Sequence, residues 1–132
     1  MTSFRDYYTI KYSKEVQIMI SSSYDTPSYH KQLIKLYNDV NKSIYGFGTT
    51  ETKIYFNDNL ITFTVRHNRI PCLIALEKDY SAMKEWVDVS LMNVFKERFQ
   101  KALADGLNIT PQAILRDYDP KSLIAVTVVV LK

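Results

Sequence analysis

The chain has 132 residues, 46% of them apolar and 23% charged, proportions that fit a folded domain and exclude disordered and fibrous classes. Its 17 basic and 14 acidic residues leave a net charge of +3, too mild a surplus to dominate binding to a polyanion, so nucleic acid is not an expected partner. A lone Cys72 excludes an internal disulfide framework and fits a reducing compartment.

The length suits one core. Residues 1–24 read as an N-terminal extension and residues 25–132 as a single α+β domain. In the extension, Tyr8, Ile10, Tyr12, Val16, Ile18 and Ile20 share one parity, as in a strand or a hairpin, although Ser13-Lys14 is poor turn chemistry. Charge and tyrosines fill Met1 to Ile10 where a secretory signal needs an apolar run. The longest aliphatic stretch, Leu123 to Leu131, is about half of the ~20 residues a spanning helix requires. A cytoplasmic protein is expected, at most peripheral to the inner face of the membrane.

Three glycines and four prolines punctuate the chain, and all fall between periodic segments. Asp25-Thr26-Pro27 is a helix start, a polar cap followed by proline in the first turn. Tyr29, Leu33, Leu36, Tyr37, Val40 and Ile44 then form one apolar stripe, which predicts a helix over 27–45 stopped by Gly46. After Gly48 the period becomes two. Ile54 and Phe56, then Ile61, Phe63 and Val65, predict a hairpin turning through Asn57-Asp58-Asn59. Residues 66–78 read as a connector whose apolar patch, Cys72 to Leu76, packs inward.

A long amphipathic helix is predicted over 80–105, with Met83, Val87, Leu91, Val94, Phe95, Phe99, Ala102 and Leu103 facing the core and Gly106 as its stop. A second hairpin pairs 112–118 with 122–131 through Asp119-Pro120-Lys121. The expected fold is therefore a four-stranded, mostly antiparallel sheet from two hairpins with two main helices, in the order α-β-β-α-β-β. Both alternate sets of the last strand are apolar, so both of its faces should be covered. With the helices on one side, the other cover is a second copy of the chain, making a homodimer, or the N-terminal segment.

The sequence holds little legible chemistry. His30 and His67 are the only histidines and lack a second ligand at metal spacing. His67 with Cys72 has no third orienting residue, and Gly46-Phe47-Gly48 precedes a strand, so it is a helix stop and not a phosphate loop. No enzyme and no cofactor is implied. Asp117 and Asp119 shape a turn more readily than they pair as catalytic carboxylates. Arg66, His67 and Arg69 concentrate positive charge in the connector, a candidate patch for a small anion, a nucleic-acid phosphate or an acidic partner, with a solvated loop as the competing reading; a small-anion or nucleic-acid binding homodimer is the function this patch would serve.

Several local strings resemble the MpsC family of small bacterial proteins, named after a sodium-translocating, membrane-potential-generating system. They are the Gly46-x-Gly48 stop, Glu51-Thr52-Lys53-Ile54-Tyr55, the strand ending at Arg66, the long helix, and Asp117 leading into a valine-rich last strand. The resemblance covers roughly residues 29–131. This chain has Leu123 where the family has glycine in the last turn. The resemblance implies an accessory role beside integral membrane proteins that couple cation movement to inorganic-carbon supply, without catalytic residues. A chain with no spanning segment could fill such a role only peripherally.

Overall fold

The Thr26 hydroxyl accepts the Tyr29 N–H at 3.2 Å, and Pro27 takes the first helical position. Helix α1 (Pro27–Tyr45) follows and ends at Gly46, whose φ of 84° lets its N–H reach back to the Lys42 carbonyl. The structure is a computed structural model that describes residues 25–132. The N-terminal extension, with its strand or hairpin parity, lies outside the described residues. Asn41, buried on α1, donates to the Phe47 carbonyl at 3.1 Å and ties the exit loop to the helix.

Strands β1 (Thr50–Asn57) and β2 (Leu60–Arg66) form the first hairpin, with Asn57 opposite Leu60 and Asp58-Asn59 as the loop. Asp58 takes a φ of 53°, which its short polar side chain tolerates. The second hairpin joins β3 (Ala113–Asp119) to β4 (Ile124–Val130). The sheet order is β1-β2-β4-β3, and all its pairings are antiparallel.

The connector after β2 corrects the two-helix expectation. Residues Pro71–Asp79 form helix α2, and Ser81–Leu107 form helix α3, so the order is α-β-β-α-α-β-β with three helices. Of the apolar patch at Cys72 to Leu76, only Leu73 is buried; Cys72 and Ile74 are exposed. Helix α3 also runs through Gly106, and Asn108 takes the left-handed stop at φ 55°. Gly106 serves packing instead: a Cβ there would sit 3.2 Å from Leu36 Cδ2 of α1.

Helices α1 and α3 cover one face of the sheet. Leu33 and Tyr37 of α1 and Phe95, Phe99 and Leu103 of α3 meet Ile61, Phe63, Ala125 and Val129 in one core. Tyr37 lies 5.0 Å from Phe63 and 4.9 Å from Phe95, centroid to centroid, in offset and tilted geometries that favour ring pairs. Met83, expected in this core, is exposed. The reason is length: α3 is about 40 Å long at 1.5 Å per residue, whereas a seven-residue strand spans about 24 Å, so the first turns of α3 overhang the sheet.

The two faces of the last strand differ. Ala125, Thr127 and Val129 are buried beneath the helices, but Ile124 and Val126 remain 38% exposed on the other side. Along the same side Thr62, Thr64, Val128 and Val130 are half-buried. No helix of the described residues is long and apolar enough to cross a membrane.

Candidate functional site

Where α2 and the overhanging turns of α3 meet the ends of β2 and β3, the packing opens into a cleft of about 320 Å³. Strand parity delivers Arg116 to its wall. Arg116 pairs with Thr127 on β4, and both project to the helix-covered side between Ile114 and Tyr118 of the same strand. The guanidinium carbon lies 3.7 Å from the centre of the Phe95 ring, a cation–π contact in a desolvated setting.

Arg116 is only 8% exposed, yet it makes no ion pair with any described carboxylate. Its Nη2 donates to His67 Nε2 at 3.3 Å, while Nη1 is buried with no hydrogen-bond partner among the described residues. A buried guanidinium is normally matched by a carboxylate, because taking the charge out of water costs several kcal/mol and an unmet buried donor adds about 1–3.

His67 is held in one protonation state by its partners. A carbonyl can only accept and a guanidinium can only donate, so Nδ1–H donates to the Asn68 carbonyl at 3.3 Å and Nε2 accepts from Arg116. The imidazole is therefore neutral. Burial, and secondarily the Arg116 charge, push its pKa down to about 4, in agreement with the geometry. The ring stacks on Tyr118 at 4.3 Å, and the Tyr118 hydroxyl donates to the His67 carbonyl at 3.1 Å.

The other cations of the cleft are matched. Arg69 pairs with Glu77 at 2.7 Å, and Lys84 pairs with Asp88 at 2.8 Å, with longer crossed contacts of 3.9 Å between the two pairs. Lys84 and Asp88 sit one turn apart on α3, the spacing that brings side chains together on a helix face. Among the described residues, Arg116 thus remains the one cation of the cleft wall without a carboxylate.

Of the residues singled out in the sequence, His67 and Arg69 line this cleft and Arg66 does not. Arg66 lies on the opposite side of β2, where its Nε donates to Glu51 at 3.0 Å and its Nη1 to the Ser122 carbonyl at 3.2 Å. Cys72 is exposed on α2 and is absent from the cleft lining, so it does not meet His67. Asp119 caps the second turn, accepting from the Ser122 N–H at 3.0 Å and its hydroxyl at 2.6 Å; those bonds hold its carboxyl below the usual range. Arg116 itself escaped the sequence reading, since an arginine in an exposed strand and one in a core-facing strand look alike until register is known. Compared with protein-family models, with curated proteins and with solved structures, the chain finds no match.

Proposed function

We propose that the chain is a binding protein, not an enzyme, whose cleft takes a small organic anion, a carboxylate carried on an apolar body. The observation that carries this reading is the buried, uncompensated guanidinium of Arg116 on the cleft wall. A carboxylate entering the cleft would supply the missing counter-charge and an acceptor in low dielectric, where a charge-assisted hydrogen bond is strong. Ile70, Leu73, Val89 and Met92 offer apolar walls for the body of the ligand. His67, neutral and with both ring nitrogens engaged, suits a positioning role better than proton transfer.

The test is a thermal-shift and calorimetric panel of acetate, benzoate and inorganic phosphate on the full chain. Benzoate should raise the melting temperature more than acetate, and Arg116→Met should remove the response. Failure of every anion to stabilise the native protein overturns the reading.

A second reading is the accessory role that the family resemblance implies, beside membrane proteins that move cations or supply inorganic carbon. One observation favours it: Met83, Trp86 and Val89 recur at helical spacing on the overhanging turns of α3, and Trp86 is 73% exposed. An exposed tryptophan within an apolar stripe suits a protein interface. Affinity capture from cells should recover membrane subunits with the native chain and lose them with Trp86→Ser; recovery of none counts against this role.

A further inference from the structure

The face of the sheet opposite α1 and α3 carries its chemistry in rows set by strand register. One row, read from β3 through β4 and β2 to β1, is Leu115, Val128, Thr62, Tyr55. The next is Asp117, Val126, Thr64, Lys53. Leu115 is 58% exposed and Tyr55 53%, and with Ile124 and Val126 they make an apolar patch rimmed by charge, the signature of an interaction surface.

The charges of the second row decide what fits. Asp117 and Lys53 stand at opposite edges of the sheet, three strand spacings or about 14 Å apart, too far to meet within one chain. Among the described residues neither makes an ion pair.

We infer that a second copy of this chain docks on this face, about a two-fold axis that lies between the two sheets and runs parallel to the strands. Such an axis exchanges the two edges while keeping every row level. Strand β3 of one copy then lies over β1 of the other, so Asp117 meets Lys53 of the second copy and the reciprocal pair forms at the far edge. In the neighbouring row Leu115 covers Tyr55 of the second copy. A two-fold axis running across the strands along this row would instead set Asp117 against Asp117 and Lys53 against Lys53, a like-charge clash. Charge therefore selects the first arrangement. Sheets packed face to face hold their strands within about 30° of each other, which keeps the edge pairs within side-chain reach.

The experiment is light scattering with sedimentation equilibrium on the full chain at micromolar concentration, with circular dichroism to verify that each variant folds. The native chain should be dimeric. Asp117→Lys and Lys53→Asp should each weaken dimerisation at least about tenfold by placing like charges together, and the double reversal should restore it. A monomeric native chain overturns the inference, whether residues 1–24 of the same chain or another protein takes the face. Single reversals that leave the dimer intact overturn it too, as does a double reversal that fails to recover pairing. Anion binding by the cleft is measured separately, so failure of one reading leaves the other standing.

Discussion

Tyr37 and Thr127, ninety positions apart in the chain, meet hydroxyl to hydroxyl at 3.0 Å in the middle of the core. The bond joins α1 to the strand pair β2–β4 at the point where both side chains are fully buried. Burial also pushes the Tyr37 phenol above its ordinary pKa, so the neutral hydroxyl is the form that makes the bond. Tyr37→Phe should cost about 1–2 kcal/mol because it strands the Thr127 hydroxyl. Thr127→Val should cost a similar amount by stranding the phenol. The double variant removes both polar groups and should cost less than the sum, as a urea-denaturation cycle would measure.

Arg116 separates function from stability. If its guanidinium were a structural element, removing it would destabilise the core by about 3–5 kcal/mol, as breaking a buried ion pair does. Among the described residues it has no carboxylate partner to abandon, and Phe95 and Tyr37 supply a largely apolar surround. Arg116→Met should therefore not destabilise the fold, and should stabilise it to the extent that the relieved desolvation and unmet donor outweigh the lost cation–π contact. The same variant should abolish the ligand-induced rise in melting temperature. A loss of several kcal/mol in chemical denaturation would reassign Arg116 to the scaffold.

The pH dependence of stability follows from His67. Its pKa falls from 6.5 in the unfolded chain to about 4 in the folded one, so between those values the unfolded state binds more protons. Stability should be complete above pH 6.5 and decline as pH falls from there toward 4, by about 2 kcal/mol for this group once partial solvent screening is allowed for. Arg116→Met removes one of the two causes and should shift the His67 midpoint upward. Nuclear magnetic resonance titration of the imidazole reports both midpoints directly; a His67 that titrates near 6.5 in the native chain contradicts the buried geometry.

The legible parts of this fold are those where a local signal has one physical meaning. Thr26-Pro27 and Gly46 bracket α1 because a cap, a preset φ and a left-handed stop each act within a single turn. The first hairpin is legible because Ile61, Phe63 and Val65 alternate with polar residues that face outward. Helix α2 is hidden because Ile70 provides no capping side chain and Pro71–Asp79 carries no sustained apolar stripe. The site is hidden for a different reason. Strand β4 is apolar on both parities, so it does not say which residues of β3 turn toward the helices, and Arg116 could as well have faced water. His67 and Arg69 were readable as a basic cluster, but their separation from Arg66 is set by the pleat at the end of β2. Gly106 misleads because its missing side chain accommodates Leu36 of α1 and does not end α3.

Leu123 offers a test of whether backbone strain or side-chain packing governs the second turn. Its φ is 63°, a left-handed conformation that costs a residue with a Cβ roughly 1–2 kcal/mol. Two backbone bonds hold it there: its N–H donates to the Asp119 carbonyl at 2.9 Å, and its carbonyl accepts the His67 N–H at 3.1 Å. The second of these ties the turn to the cleft, because it places the histidine that accepts from Arg116. Leu123→Gly should relieve the strain while keeping both bonds, but it also loses the half-buried side chain and adds unfolded-state entropy, so it should stay within about 1 kcal/mol of the native chain. Leu123→Ala keeps the Cβ and the strain but loses the half-buried side chain, so it should destabilise. Equal destabilisation by both variants in thermal denaturation would show that packing dominates. Retention of anion binding by Leu123→Gly would show that the turn's backbone, not its leucine, positions His67.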